Sequence, residues 1–489
     1  MVRKLKYFLF GIMLFILPVI NAQNSNVMYY MNLPQNHLLN PALRPSNSVY
    51  IGLPAITGIN INLNNNFIGF SDVFMKGSSD SIISFLHPDY NIDDFIKKLK
   101  KINYFAPEVN VQLFSLGFSA GKDMYVFFDA IDRVEARVTL PGDLLILGLK
   151  GNEQFAGSAI DLSGLGIGAK YYREYGLGFS KKFTPKLRIG AKAKVLFGIA
   201  AISMKNKSLS ITVNDDYSHS IDADMSVNIS GPVNITVNPD NTIGDVTMND
   251  INDVPSFLLN TKNMGFGIDV GAVYEVTNKL LVSASLIDFG YIRWKSDVSN
   301  ITAKSQFAFS GFNIENVVDG TKTFDELLTE MGDSLKNSFK LSKKKEPFTT
   351  FLPTGINIGA SYNVTKNISF GILSHSLLTG GRLRESVTLS TNANLGNLLT
   401  TSFSYTAANH SYDNLGVGLA FRLGVLQFYT IADKIPIRYN RIIINNSDKL
   451  ILPNSWNTLN FRIGMNLAFG NRVKKKNDKP MMVEPQILQ

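Results

Sequence analysis

The chain has 489 residues, no cysteine and a formal net charge of +9, with 38 Gly, 33 Phe and 18 Tyr. A chain without cysteine has no disulfides, no thiolate chemistry and no lipid anchor attached through a cysteine. Its basic residues form no interior stripe with interleaved aromatic residues, so the composition does not predict nucleic-acid binding.

The N-terminus has the pattern of a secretory signal peptide. Arg3, Lys4 and Lys6 precede an apolar run that ends near Ile20, and the small residue Ala22 follows. The run is about 14 residues, short of the ~20 that a membrane-spanning helix needs, which disfavours the alternative of an N-terminal anchor. We therefore predict Sec-type export, with residues 1–22 removed near Ala22–Gln23.

Residues 23–47 predict a compact irregular segment, or plug, before the first strand. In "LLNPALRPSN", Pro41 and Pro45 fix the backbone and reduce the entropy that ordering costs, and Asn40 can close an Asx turn. The motif of this segment is Asn40, Pro41 and Ala42. The alternative is an extended tail that leads into the first strand.

Residues 48–470 predict an all-β, transmembrane antiparallel barrel. Strand–short turn–strand units recur at 174–200, 265–293 and 355–380, with looser copies at 114–132 and 415–433, and long connections separate them. Within 187–199, 266–276 and 459–469, apolar residues alternate with polar residues or glycine. Strands of about ten residues with this alternation fit lipid outside and a wet lumen inside, whereas soluble sandwiches have strands of about 5–6 residues.

The strand count is even, because both ends of the barrel are predicted on the periplasmic side. Counting gives twelve strands, and another pair could lie in 201–264 or 380–412, so we predict about fourteen strands with twelve as the alternative. Helical periodicity at 91–102 and 323–346 predicts helices in the long extracellular loops. These helices could collect an amphiphile or form a packed lid without a ligand. Residues 471–489 form a basic tail, predicted to be periplasmic.

"LLNPALRP" resembles the Asn-Pro-Ala element of FadL-like fatty-acid transporter barrels, which place a hatch in the lumen before the first strand. The block 140–180 is similar to a family of Bacteroidota outer-membrane proteins without an assigned function, through Gly151, Asn152, Phe155, Gly157, Tyr172 and 174–178. Related barrels serve type IX secretion and gliding. The resemblance implies an outer-membrane location, a hatch at 23–47 and a strand kink that opens a side exit. The candidates for the kink are the breaks in alternation at 286–291 and 113–118.

No catalytic or metal motif is recognisable. The five histidines, His37, His87, His219, His375 and His410, have no metal-ligand spacing, and neither a nucleophile elbow nor a phosphate loop occurs. We expect a non-enzymatic protein without a cofactor.

Charged residues on the inner face are the candidate ligand residues. Asp129, Arg133, Glu135 and Arg137 share one face of the third strand, and Asp269 and Glu275 share a face of the sixth. The candidates for contact with a ligand head group or the lumen are Arg188, Lys192, Lys194, Asp269 and Arg462. The alternative is that these charges pair with one another and solvate the lumen.

Two functions follow from these patterns. The first is passive uptake of hydrophobic or amphiphilic small molecules through the outer membrane. The second is a non-catalytic subunit of a secretion, gliding or envelope-assembly complex, with protein partners at the outer loops or the tail. A continuous apolar pocket favours transport, whereas a lumen filled by charged pairs, with apolar patches on the loops, favours the subunit. In both cases the partners include outer-membrane lipid.

Overall fold

The computed structural model describes residues 26–54, 56–76, 82–87, 90–215, 218–239, 241–248, 253–309, 326, 341–396, 398–408, 411–435, 439–444, 448–453 and 458–471. The predicted signal peptide, His410 and all but the first residue of the predicted tail lie outside these ranges, as does most of the predicted helix at 323–346. Four α-helices are described: α1 (Phe70–Val73), α2 (Ile92–Ile96), α3 (Gly142–Lys150) and α4 (Val254–Leu258). Short 3-10 helices cover Asn26–Tyr30, Pro34–Leu38 and Glu153–Phe155. None of the helices in the described ranges is long and apolar enough to cross a membrane.

Strands make up most of the chain. The first half contains β1 (Asn47–Gly52), β2 (Gly58–Asn65), β3 (Met75–Lys76), β4 (Ile82–Ile83), β5 (Ile102–Ala120), β6 (Met124–Pro141), β7 (Ser158–Asp161), β8 (Gly166–Lys182), β9 (Leu187–Val213), β10 (His219–Ser230), β11 (Val233–Val237) and β12 (Ile243–Met248). The second half contains β13 (Asn263–Glu275), β14 (Leu280–Trp294), β15 (Val298–Phe309), β16 (Leu341–Lys344), β17 (Phe348–Phe351), β18 (Thr354–Asn363), β19 (Ile368–Thr379), β20 (Arg382–Leu395), β21 (Leu399–Ala408), β22 (Ser411–Leu423), β23 (Leu426–Ile435), β24 (Tyr439–Ile444), β25 (Asp448–Pro453) and β26 (Thr458–Asn471).

Fourteen antiparallel wall strands close into a barrel. Two of them are each made of two consecutive segments: β1 and β2 form one wall strand, and β17 and β18 form another. In order around the wall, the fourteen strands are β1–β2, β5, β6, β8, β9, β13, β14, β17–β18, β19, β20, β21, β22, β23 and β26. The barrel closes where β26 pairs with β1 and β2, with Ile61 opposite Phe461 and Tyr50 opposite Ala468. Short connections follow β5, β8, β13, β18, β20 and β22 at the end where Asn47 and Asn471 lie. We call this the short-turn end and the opposite one the long-loop end.

The strand count of fourteen is confirmed, and the structure shows where the extra pair lies. Strands β20 and β21 occupy 382–408, inside one of the two regions left open by the sequence. The strand-like stretches of 201–264 instead form a second tier above the wall. There β9 continues beyond β13 and pairs with β10, which pairs with β15, and β15 pairs with β16.

The predicted loop helices differ from the structure. The helix expected over 91–102 ends at Ile96, and β5 begins at Ile102. The last part of the helix expected over 323–346 is strand β16, because Leu341 packs in an apolar cluster with Ile229 and Ile301 of the second tier. Helix α3 was not predicted from its sequence.

Apolar and polar side chains alternate along the wall strands as predicted, with the apolar side chains outside and the polar ones inside. Along β13, Phe266, Ile268 and Val270 are exposed on the outside, while Asp269 between them is buried. Lys192 and Lys194 are likewise buried. Exposed apolar side chains recur on neighbouring wall strands, including Phe179, Ile189, Ile358, Phe370, Phe403 and Ile463. A continuous outer apolar face of this kind is typical of a barrel wall in contact with lipid.

The lumen at the short-turn end is packed with protein, at the end where the sequence predicts a hatch. Residues 26–46, here called the hatch, lie inside the wall. Their apolar side chains form one cluster with wall residues such as Val273, Leu373 and Tyr429. Burial of this surface holds the hatch in place.

Glycines on the inner face provide room for the hatch. A Cβ atom on Gly190 would lie 2.2 Å from the carbonyl carbon of Pro41, and one on Gly271 would lie 2.1 Å from Oδ1 of Asn40. These glycines therefore mark where the backbone of the hatch approaches the wall closely.

Candidate functional site

The Asn-Pro-Ala motif forms the tight turn of the hatch. Oδ1 of Asn40 accepts a hydrogen bond of 2.9 Å from the backbone N–H of Ala42, which is the predicted Asx turn. Nδ2 of Asn40 donates to the hydroxyl of Tyr29 at 3.0 Å, and that hydroxyl donates to Oγ of Ser283 at 3.0 Å. Burial raises the pKa of Tyr29, so its hydroxyl stays neutral and remains a donor. The motif thus ties the hatch to strand β14.

The predicted ligand residues Lys192 and Lys194 lie in buried ion pairs. Nζ of Lys192 is 2.8 Å from Oε1 of Glu174 and 3.1 Å from Oδ2 of Asp129. Nζ of Lys194 is 2.7 Å from Oδ1 of Asp269 and also contacts Asp288. Three of the five candidates, Lys192, Lys194 and Asp269, therefore come together.

The same cluster joins the hatch to the wall through His37. Its Nδ1 lies 2.6 Å from the carbonyl oxygen of Pro34, and its Nε2 lies 2.7 Å from Oδ2 of Asp129. Each ring nitrogen of His37 therefore lies within hydrogen-bond distance of an oxygen, one on the hatch and one on the wall. Arg133 adds contacts of 2.8 Å to Glu174 and 3.4 Å to Asp288.

The buried charges are paired. Four carboxylates, Asp129, Glu174, Asp269 and Asp288, contact Arg133, Lys192, Lys194 and the imidazole of His37. A buried charge is costly unless it is paired, so these contacts are what permit such a cluster inside the wall. The structure thus shows the pairing of inner charges that the sequence left as an alternative to ligand binding.

The remaining two candidates lie apart from the cluster. Arg188 is buried beneath the hatch, with Nη1 3.5 Å from Oγ of Ser180, and Ser180 donates to the carbonyl oxygen of Ala42 at 3.0 Å. Arg462 lies on β26 and lines a cavity on the long-loop side of the hatch. The role of these residues in binding a head group stays a prediction.

A cavity of about 690 Å³ occupies the lumen above the hatch, and Leu38 and Leu39 of the hatch form its floor. Its size is within the usual range of small-molecule sites, roughly 300–1,000 Å³. The lining is amphipathic. Asn60, Asn62, Asn64, Glu108, Asn110 and Arg462 line one side, on β2, β5 and β26. Across the barrel, β14, the segment between β17 and β18, and β19 contribute both apolar and polar residues: Ile287, Leu352, Pro353, Leu377 and Leu378 beside Asp288, Thr354 and His375.

Both stretches proposed as kinks carry a β-bulge. The register of β5 and β6 shifts between Gln112 and Phe114, and that of β13 and β14 shifts between Ile268 and Val270. Opposite the second shift, Asp288 has a φ of +56°, which non-glycine residues rarely adopt. The bulge brings the backbone N–H of Asp288 to 2.7 Å from Oδ1 of Asp269.

Two exposed aromatic residues lie where the lining of the cavity meets the β14 bulge. Phe289 and Phe351 line the cavity, yet their side chains are 60% and 74% exposed. The N–H of Leu352 still donates to the carbonyl oxygen of Gly290 at 2.9 Å, and pairing resumes where Ile287 is opposite Gly355. Pro353, which lacks an N–H, lies in the short gap between these two points. An irregular wall of this kind is where a side opening is expected.

Sequence reasoning missed the cavity and its polar wall. The alternation in "GININLNN" places Asn60, Asn62 and Asn64 on one face, a signal that was available. The registers that set Asn60 opposite Asn110 and Arg462 were not available, because they follow from barrel closure.

The described residues provide no catalytic or metal centre. No group of three or more His, Asp or Glu side chains among them could hold a metal ion. His375 contacts Oδ1 of Asn357, and His219 lies 3.3 Å from Nδ2 of Asn152. Neither histidine is paired with a nucleophilic hydroxyl in these contacts.

Comparison with known proteins gives weak structural likenesses. No curated protein sequence matches this chain. A FadL homologue of Pseudomonas aeruginosa is similar at 10% identity and a TM-score of 0.38, over 92% of this chain and 98% of that one. The toluene transporter TbuX of Ralstonia pickettii is similar at 10% identity and a TM-score of 0.41, over 92% and 99%. The translocator domain of the autotransporter NalP from Neisseria meningitidis has 8% identity and a TM-score of 0.30, over 88% and 91%. Scores this low carry no argument about function.

The family is established by sequence. The profile of the family of unknown function DUF5723 matches residues 41–433, and the chain belongs to this family. The expectation of a family without an assigned function is thus met, while the assignment to Bacteroidota stays a prediction.

Proposed function

We propose that this protein is an outer-membrane channel through which hydrophobic or amphiphilic small molecules pass by diffusion. The observation that carries the proposal is the cavity between the hatch and the long-loop end, whose lining includes the exposed residues Phe289 and Phe351 at the β14 bulge.

The outer surface supports a location in a membrane. Its apolar belt includes Phe266, Ile268 and Val270 of β13, which would meet water in a soluble protein. A closed barrel satisfies every backbone group of its wall without an edge, as a lipid environment requires. Export to the outer membrane follows from the predicted signal peptide.

The hatch supports a gated rather than an open pore. Its side chains close the lumen at the short-turn end, so a straight aqueous path is blocked. A molecule in the cavity leaves either when the hatch moves or sideways between β14 and β18, at Asp288 and Pro353. The side route suits an apolar molecule, because lipid lies directly outside.

The polar end of the ligand is expected beside Arg462 rather than at Lys192 or Lys194. The two lysines already contact carboxylates, and binding an anion there would break buried ion pairs. Arg462 has no ion pair within the described ranges and lines the cavity.

A cavity-filling variant tests the proposal. Gly168 lines the cavity and has open space around the position of a Cβ atom, so Gly168→Phe adds an aromatic ring to the cavity wall and reduces the space for a ligand. Gly148 of α3 also has open space but lies outside the cavity, so Gly148→Phe is the matched control. We expect uptake of radiolabelled dodecanoate by cells of a host without its own fatty-acid channel to fall severalfold only in Gly168→Phe. Equal uptake by both variants would contradict the proposal.

A second candidate, a non-catalytic subunit of an envelope complex, is favoured by one observation. Strand β12 and the region of α4 expose large apolar side chains at the long-loop end, with Val246 63% and Met248 72% exposed. Such residues suit contact with a protein partner. This function predicts a stoichiometric partner that is lost on Met248→Ser, with uptake unchanged.

A further inference from the structure

Two arginine side chains contact one tyrosine ring near the mouth of the cavity, on the long-loop side. Cζ of Arg137, on β6, lies 4.4 Å from the centre of the Tyr104 ring, and Cζ of Arg384, on β20, lies 4.9 Å from it. Strand β20 stands across the lumen from β5 and β6, so the two guanidinium groups reach the ring from opposite walls. Their Cζ atoms are at most about 9 Å apart, so one small bound group can contact both.

Contact with an aromatic ring orients a guanidinium group without using up its N–H donors. The flat face of the group lies against the ring, and the donors at its edge stay free for hydrogen bonds. Among the residues that the structure describes, Arg137 and Arg384 have neither a carboxylate within ion-pair distance nor a hydrogen-bond acceptor. Both side chains are half-buried and line the cavity, and none of their nitrogen atoms is sealed from solvent without a partner. Their donors are therefore accessible from the cavity.

The carboxylates of the cavity do not neutralise these two arginines. The lining has six Lys or Arg side chains but three Asp or Glu side chains. Each carboxylate already contacts another lining residue: Glu135 contacts Lys170, Asp288 contacts Arg133, and Glu108 contacts Asn110. A charge that is partly removed from water is stabilised by a counter-charge, so the excess of positive charge favours an anion in the cavity.

The rim of the barrel is low beside Arg384. At the long-loop end, β19 and β20 are joined by Gly380 and Gly381 alone, and the positive φ of both residues suits a two-residue hairpin turn. Thr379 pairs with the first residue of β20, and Arg384 lies two residues further along that strand. A ligand that enters from the long-loop end therefore meets Arg384 close to the rim.

The two stacked arginines lie nearer the rim than Arg462. Through Asn110 and Asn60, Arg133 of β6 is in register with Arg462 of β26. Arg137 is four residues further along β6 toward the long-loop end, which is about 13 Å at the rise of a strand. The mouth of the cavity thus has an anion site of its own, separate from the position expected for a head group beside Arg462.

Two guanidinium groups without a counter-charge match a dianion better than a monoanion. A phosphate monoester carries a charge of about −1.5 to −2 at pH 7 and has three acceptor oxygens, so it can accept hydrogen bonds from both groups at once. A carboxylate carries a single negative charge, which leaves one of the two arginines uncompensated.

We propose that Arg137 and Arg384 bind a phosphate monoester group at the mouth of the cavity, with Tyr104 as the positioning residue for both. This inference goes beyond the proposed function, because it concerns binding at the mouth, whether or not the ligand then passes the hatch. The uptake measured with Gly168→Phe tests the channel separately.

The first test compares two ligands with the same eight-carbon chain. Octyl phosphate and octanoate, both below their critical micelle concentrations, are titrated into the full-length protein in a non-ionic detergent and followed by isothermal titration calorimetry. The buffer is free of phosphate and held at about pH 8, where a phosphate monoester with a second pKa of about 6 is dianionic. We expect octyl phosphate to bind at least about tenfold more tightly, because it makes additional charge-assisted hydrogen bonds. Equal affinities, tighter binding of octanoate, or binding of neither ligand would overturn the inference.

Titration with inorganic phosphate distinguishes the two sources of such a group. If inorganic phosphate binds as tightly as octyl phosphate, the site is upheld and serves a water-soluble phosphate. If octyl phosphate binds more tightly, the site is upheld and serves a phosphorylated amphiphile, whose chain also contacts the cavity.

Variants locate the site. Arg137→Gln and Arg384→Gln each remove one guanidinium group, and each is expected to weaken octyl phosphate binding by about tenfold while octanoate binding changes less than about threefold. Arg293→Gln removes the same charge from an exposed arginine of β14 outside the cavity lining, and it should change neither affinity. The mobility of the folded barrel on unheated gels shows that each variant is folded. If both folded cavity variants bind octyl phosphate as the wild type does, the site is wrong.

A pair of substitutions at Tyr104 tests its positioning role. Tyr104→Phe keeps the ring and should bind octyl phosphate like the wild type, whereas Tyr104→Leu removes the ring and should weaken binding severalfold. Equal binding by these two variants would show that the ring does not position the arginines.

Discussion

At the scale of residues, buried charged side chains in this protein are held by contacts with groups of opposite charge. Asp129 is fully buried and contacts His37 of the hatch and Lys192 of the wall, and it accepts from Gln112 and Ser115 at 2.8 Å. Removing one member of a buried pair leaves the others uncompensated, which costs more than the pair itself contributes.

Asp129→Asn should therefore lower the free energy of unfolding by about 3–5 kcal/mol, because His37 and Lys192 lose a shared carboxylate. Urea titration of the protein in detergent, followed by the gel mobility of the folded barrel, measures this change. The control is Asp94→Asn, which breaks the exposed 3.0 Å ion pair of Asp94 with Lys97 and should leave the midpoint unchanged. Equal midpoints for the two variants would show that the cluster does not stabilise the barrel.

At the scale of elements, the hatch and the wall fit each other through small residues. Pro41 approaches Gly190, and Tyr30 approaches Gly359 and Gly371 so closely that a Cβ atom on any of these glycines would clash. The sequence indicated the hatch through its prolines and the inner face through its glycines. It could not indicate which glycine meets which hatch residue, because those contacts depend on how far the hatch enters the lumen.

Gly190→Ala should displace the hatch, since the new methyl carbon would lie 2.2 Å from the Pro41 backbone, which cannot yield as a flexible side chain does. We expect faster amide hydrogen exchange over residues 26–46 than in the wild type. Gly168→Ala, whose methyl group meets nothing within 4 Å, should exchange like the wild type. Unchanged protection in Gly190→Ala would mean that the wall, not the hatch, absorbs the clash.

At the scale of the whole molecule, the sequence predicted more of the wall than of the lumen. Alternation along β9, β13 and β26 placed Lys192, Asp269 and Arg462 on the inner face, and the even count and fourteen strands are confirmed. The pairs Lys192–Glu174 and Asn60–Arg462 depend on strand register. Register is set by closure of the sheet and by bulges such as that at Asp288, which a local pattern does not encode.

The wall and the lumen together form a barrel that is plugged at one end and holds a cavity at the other. The apolar belt, the hatch and the cavity are separate features of the sequence. Closure of the barrel brings them together, because it places Asn60 and Ile287 on opposite sides of one cavity.

Native mass spectrometry of the protein, extracted gently from its own outer membrane with lipid analysis of the same sample, tests the channel proposal most directly. We predict one small amphiphile per barrel, retained in Gly148→Phe and reduced in Gly168→Phe, which adds a ring to the cavity wall. A stoichiometric protein partner, with no small molecule in either variant or in the wild type, would contradict the account and favour a structural subunit.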